Sequence, residues 1–306
     1  MIAVFGVEPE VMAHWQHFQK FYKDFGVEQR RFIARYPKKW KALVCDRARE
    51  LVTLGQNTEM QAARMVERLA GDGSKFKFCK VPCTDYEADR DWLTNAVEHQ
   101  PPFDAIVAAK SGLTDARVGV AEEVLMDELP FHRERDLTIP RTAEAIIGTA
   151  ERLLAAATQI VLVEPHFNPA EPRFVRPFVR LIEILHGRAG VPQRIELHTA
   201  KPRVFVATAQ EHNYRHAFAA DLPTGWRLDV CFWAETVPED AQHPRFILTE
   251  LGGIRIDWGL DEGEPGSQTI ANGVSDKLFV ELFARYAATS PRFIADPANA
   301  RITIHG

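Results

Sequence analysis

Between Thr142 and Trp258, strand-length apolar runs alternate with helix-length amphipathic ones, and few folds accommodate that rhythm. The spacing predicts a helix over 142–157, a strand over 159–164 (Gln-Ile-Val-Leu-Val-Glu), a helix over 174–186, and a strand over 194–199. A helix over 209–219 and a strand over 227–233 follow, then a strand from Phe246 to Glu250, the pair Gly252-Gly253, and a strand from Ile254 to Trp258. Alternation of this kind predicts an α/β fold, a mixed sheet flanked by helices. The amphipathic stretch from Asp276 to Ala288 is expected to cap one face.

The first half reads differently. From Val11 to about Arg68 the apolar residues recur at helical spacing, as in Trp15, Phe18, Phe21 and Tyr22, and later Leu51, Met60, Met65 and Leu69. Phe76 to Val81 and Ala105 to Ala109 read as short buried strands, with a Trp92-containing helix between them after the acidic run Asp85, Glu87, Asp89, Asp91. This half is expected to be a smaller α+β domain, mostly helical over its first seventy residues. The polar, proline-bearing stretch 129–140 marks the boundary, giving domains at 1–135 and 136–306.

Composition narrows the functional classes. With 37 Lys+Arg against 42 Asp+Glu the formal charge is −5, so any polyanionic partner must be held by a local patch. No apolar run approaches the roughly 20 residues of a membrane-spanning helix, and the start Met-Ile-Ala-Val-Phe-Gly-Val lacks a cationic leader pattern. Four cysteines (Cys45, Cys79, Cys83, Cys231) are too sparse for a disulfide framework and predict reduced thiols in a cytoplasmic protein. The chain has no Gly-x-x-x-x-Gly-Lys-Ser/Thr, Gly-x-Gly-x-x-Gly, Gly-x-Ser-x-Gly or His-Glu-x-x-His pattern, so no cofactor and no metal are expected.

In open α/β sheets, ligands gather at the carboxyl ends of strands. Two segments stand out there: Glu164-Pro165-His166-Phe167, and His243-Pro244-Arg245 leading to Glu250. The second resembles the phospholipase D superfamily signature His-x-Lys-x(4)-Asp, with Arg245 in place of lysine and Glu250 in place of aspartate. The strand end Val-Glu-Pro-His-Phe resembles that family's Asp-Pro-Tyr, and the order of elements over about 142–288 is similar too. Where the family carries Gly-Ser-x-x-Asn, this chain has Asp257-Trp258-Gly259-Leu260-Asp261; a literal Gly266-Ser267 and Asn272 come later. In these departures it is more similar to the noncatalytic phospholipase D-like domain of some membrane-trafficking adaptors.

The resemblance implies roles for particular residues. In an active member His243 would attack a phosphodiester, Arg245 would clamp the phosphate with its planar fork, and Glu250 would orient the imidazole or balance the cation. His166 and Asn272 are further candidate phosphate contacts. The family's chemistry takes two histidines across a two-fold axis, so catalysis with a single motif implies a homodimer. The plainer reading of Glu250 and Asp261 is an exposed strand end and a turn.

A second candidate is the basic segment 28–49, where Arg30, Arg31, Arg35, Lys38, Lys39 and Lys41 interleave with Phe32, Tyr36 and Trp40. Cations for phosphates and aromatics for stacking suit nucleic acid, single strands in particular; a helix pair with a solvated basic face and core aromatics fits equally. His14 and His17, and His212 and His216, have metal-compatible spacing without a third ligand, and Cys79-Lys-Val-Pro-Cys83 has no second pair. The preferred expectation is a phosphodiester-recognising protein that binds DNA or RNA, as one component of a larger bacterial assembly. A metal-independent nuclease and a protein-docking module are the alternatives.

Overall fold

The computed structural model describes residues 2–110, 112–125, 136–186, 194–234, 245–286 and 289–306. They form two compact units, Ile2–Arg135 and Asp136–Gly306.

The N-terminal unit is built on five parallel strands: β1 (Ala3–Val7), β2 (Arg31–Ala34), β3 (Phe78–Cys79), β4 (Ala105–Ala108) and β5 (Val118–Val120). Their order is β3-β2-β1-β4-β5. The chain builds outward from β1 to β3, returns to lay β4 beside β1, and continues the other way. This is α/β winding, and it corrects the expected α+β arrangement. The helices are α1 (Pro9–Ala13), α2 (Trp15–Asp24), α3 (Trp40–Thr53), α4 (Glu59–Ala70), α5 (Trp92–Glu98) and α6 (Ala121–Leu125). The helical periodicity read over residues 11–68 is that of α2, α3 and α4, whose buried residues Phe18, Phe21, Val44, Leu51, Met65 and Leu69 join the core with Phe5 and Val107. A capping box closes the start of α4, Thr58 accepting from Gln61 N–H while the Gln61 side chain accepts from Thr58 N–H. Asp91 caps α5. Gly6 is required by packing, because a Cβ there would sit 2.8 Å from the Phe103 ring.

The C-terminal unit carries an eight-stranded mixed sheet. Its strands are β6 (Asp136–Pro140), β7 (Gln159–Val163), β8 (Arg194–Ala200), β9 (Arg227–Trp233), β10 (Arg245–Thr249), β11 (Gly252–Ile256), β12 (Gln268–Gly273) and β13 (Ala300–His305). They lie in the order β13-β9-β8-β7-β10-β11-β12-β6. β7, β8 and β9 run parallel and the other neighbours pair antiparallel. The helices are α7 (Ala143–Gly148), α8 (Glu151–Ala156), α9 (Pro172–His186), α10 (Ala207–Phe218), α11 (Asp276–Tyr286) and α12 (Pro291–Ala295). The single helix expected over 142–157 is two, broken at Thr149 and Ala150. Part of the expected boundary stretch is strand β6, paired with β12.

Candidate functional site

The site is best built from β7 and β10, because their register fixes which side chains meet. Phe246 pairs with Val163, so the next positions outward, Arg245 and Glu164, stand opposite one another at the carboxyl end of the parallel strands. Arg245 Nε lies 3.8 Å from Glu164 Oε1; the arginine side chain is 17% exposed and the glutamate 1%. Glu164 also accepts from Leu260 N–H at 2.8 Å and from His166 N–H at 3.1 Å. Burial raises the proton affinity of Glu164; these two N–H groups and then the nearby Arg245 pull it back.

The loop over 257–267 folds onto this end of the sheet. Asp261, 7% exposed, accepts from Arg141 at 2.8 Å and from Arg173 at 3.1 Å. Glu262 accepts from Ala143 N–H at 3.0 Å and pairs with Arg176. Backbone bonds from Glu262 N–H to the Arg173 carbonyl and from Gly263 N–H to the Arg141 carbonyl complete the clamp. Asp261 is therefore a buried hub joining two arginines, where the sequence suggested an exposed acidic turn. Gly259, at φ +138°, lets the loop pass close to Glu164 and Asp261.

Of the remaining candidates, Glu250 and Asn272 do not meet Arg245. His243 lies outside the described residues. His166 is exposed in the turn after β7, at the same end of the sheet. Glu250 follows the far end of β10, where its carboxylate accepts from Thr158 N–H at 2.6 Å, Thr158 Oγ1 at 2.9 Å and Gln159 N–H at 3.0 Å. It fastens the start of β7 and is too remote from Arg245, a strand's length away, to share chemistry with it. Asn272 aligns with Arg255 and Phe246, whereas Arg245 aligns with Ile256 and Ala271, so the two side chains leave opposite faces of the sheet. Asn272 donates to Asp136 at 3.2 Å.

The basic segment also reads differently in three dimensions. Phe32, Tyr36 and Trp40 are buried; the Trp40 indole donates to the Val7 carbonyl at 2.7 Å and the Tyr36 hydroxyl to the Asn95 carbonyl at 3.3 Å. These rings are core, which removes the expected stacking surface. Arg30 is buried in a left-handed turn at φ 54°, and Arg31 lies over the Phe25 ring. Lys41 donates to the Leu69 carbonyl at 2.6 Å and Ser74 Oγ at 2.9 Å, with burial and then Arg35 lowering its proton affinity. Arg35 is half-buried just after β2, and Lys38 and Lys39 are exposed before α3.

Among the described residues no group of three or more His, Cys, Asp or Glu is placed to hold a metal. His212 and His216 are exposed on α10, and Cys79 and Cys83 are free thiols. No helix among the described residues is long and apolar enough to cross a membrane.

One polar constellation went unread in the sequence. His198 in β8 is fully buried; its Nδ1 accepts from the Trp233 indole N–H at 2.9 Å, and its Nε2 lies 3.4 Å from Glu196 Oε2. Arg194 reaches Glu196 at 3.0 Å and Asp229 at 2.8 Å, and Thr303 donates to Asp229 at 2.8 Å. Rings of Tyr286 and Phe293 close over the imidazole. With both ring nitrogens engaged and no exposure, this histidine is structural.

No family model matches the chain, and no curated protein matches it. Among solved structures it is similar to TrmBL2, an archaeal chromatin protein described as showing a novel mode of DNA binding, at 11% identity and a TM-score of 0.25. The match spans about half of each chain, 54% of this one and 54% of that one, and a likeness of that degree carries no argument about what this chain does.

Proposed function

We propose that the protein recognises a phosphodiester, with nucleic acid as the polymer and a phospholipase D-like C-terminal unit as the phosphate-reading part. The observation that carries the reading is the position of Arg245. It opens β10 beside Glu164, at the end where the parallel strands β7 and β8 finish and where ligands of such sheets gather. Its guanidinium keeps partial access to solvent, and Glu164 balances its charge when no phosphate is present. Lys38 and Lys39 are exposed cations of the basic segment and the natural source of supplementary phosphate contacts.

Gel retention of single- and double-stranded DNA and RNA, in chelator and over a salt series, tests this. The wild type should retain a polymer with steep salt dependence, and Arg245→Gln should weaken retention and reduce the salt slope by about one. Neutralising Lys38 and Lys39 together should reduce it further. Failure of every polymer to bind at low salt would overturn the reading. Cleavage in the same gel that disappears in His243→Ala would extend it to a metal-independent phosphodiesterase.

A further inference from the structure

The N-terminal unit contains a cleft of about 860 Å³ that the phosphodiester reading does not use. Its place follows from the winding of the sheet. β1 and β4 are neighbours, but the connections leaving them run in opposite directions, so their carboxyl ends separate into a crevice. Glu8 lines it: its N–H donates to the Val107 carbonyl at 2.9 Å, and its Oε2 accepts from Ala109 N–H at 2.7 Å, tying the ends of β1 and β4 together.

The lining indicates what the crevice can hold. A nucleotide-binding crevice presents glycines and bare N–H groups after the first strand. Here that turn is Glu8-Pro9-Glu10, where a proline removes one donor and two carboxylates occupy the ground a phosphate would need. The lining carries four carboxylates, Glu8, Glu10, Asp91 and Glu122, against the full cations Arg47 and Lys110 and the imidazoles His14 and His17, His14 lying 3.5 Å from Glu10. Arg47 and Glu10 neutralise one another through bonds of 2.6 and 3.0 Å, with Arg47 also reaching Glu50 at 2.8 Å, which leaves Glu8, Asp91 and Glu122 against Lys110. The potential in the crevice is therefore negative.

A further feature favours a cation. Glu8 is half-buried, and burial together with the carboxylates of Glu10 and Asp91 raises its proton affinity against the Ala109 N–H bond and the pull of Lys110; a bound cation would relieve that penalty. Trp92, buried, also lines the crevice, its indole N–H committed to the Tyr36 carbonyl at 3.0 Å.

We propose that the crevice between β1 and β4 is a binding site for a small organic cation, an amine or guanidine, anchored by Glu8 and Asp91.

Isothermal titration of the full chain with agmatine tests this, with ADP-ribose and glucose as the phosphate and polyol arms. Agmatine should bind saturably at one site per chain, and Glu8→Gln, whose amide oxygen can still accept from Ala109 N–H, should weaken it at least tenfold. Asp91→Asn, which keeps an N-cap for α5, should also weaken it and serves as the second variant if Glu8→Gln does not fold. Tighter binding of ADP-ribose or glucose would overturn the proposal. So would the absence of saturable agmatine binding, or binding that both variants leave unchanged.

Discussion

The imidazole of His198 makes the C-terminal unit sensitive to acid in a way that can be worked out in advance. An indole N–H can only donate, so His198 Nδ1 accepts from Trp233 and the ring's single proton sits on Nε2, facing Glu196. Burial lowers the proton affinity of this ring; Glu196 and Asp229 oppose the shift and Arg194 adds to it. The folded-state pKa therefore lies below the ordinary imidazole value of about 6.5. Above that value both states are neutral and full stability is present. As pH falls below it, the unfolded chain takes up a proton that the native chain refuses, and stability is lost until the folded pKa is reached. For a ring that stays neutral in the native state, the loss is about 1.4 kcal/mol at pH 5.5 and grows by about 1.4 kcal/mol per further unit. Urea midpoints at pH 7.5 and 5.5, read by a brief thiol-labelling pulse on Cys231, measure it. Cys231 is fully buried, pairs in register with His198, and is the one cysteine after residue 135, so its labelled peptide reports this unit alone. The comparison is with His198→Gln, whose amide oxygen can still accept from Trp233. The wild type should lose about 1.4 kcal/mol more than the variant on acidification; equal losses would mean that the native ring takes the proton and would refute the reasoning.

Two other substitutions have defined outcomes. Glu250→Ala removes three hydrogen bonds at the start of β7 and should cost about 1–2 kcal/mol in urea unfolding, without altering polymer retention; a selective loss of retention at unchanged stability would restore a functional role for Glu250. Gly259→Ala places a Cβ against Asp261 Oδ1 at a φ of +138°, so it should destabilise the unit by about 1–3 kcal/mol and expose the Arg141–Asp261 contact to faster hydrogen exchange at Gly263 N–H.

What the sequence disclosed depended on whether an element's environment was written in its own residues. β7 is buried on both faces and is a nearly continuous apolar run readable without context, while β8 and β9 keep an apolar residue at every second position, Ile195 and Leu197 in one and Leu228, Val230 and Phe232 in the other, which marks a strand even where charged residues intervene. β6 alternates weakly among exposed positions, and β12 is polar on one side, so neither stood out from loop. β1 and β2 are only five and four residues long, and the helical aromatics of α2 lie between them, which hid the parallel sheet. Phe32, Tyr36 and Trp40 recur every four residues like a helix stripe, yet the first lies in β2 and the last opens α3; interleaving with cations could not say which way the rings point. The surroundings of Arg245 were even less legible. Glu164 meets Leu260 across 96 positions and Arg141 meets Asp261 across 120, and no local pattern encodes such encounters.

The placement of β6 bears on how the C-terminal unit behaves when separated from the rest of the chain. β6 occupies the outermost position beside β12, pairing from Gln268 with Pro140 to Asn272 with Asp136. A fragment beginning at Ala143, where the first helix of that unit starts, would strip this strand away. The N–H and C=O groups of β12 would then face solvent along a strand that already carries the half-exposed Ile270. A bare, extended, partly apolar margin recruits another strand, most readily the same margin of a second molecule. Such a fragment should self-associate in proportion to its concentration, and an oligomer measured on it would report the missing strand.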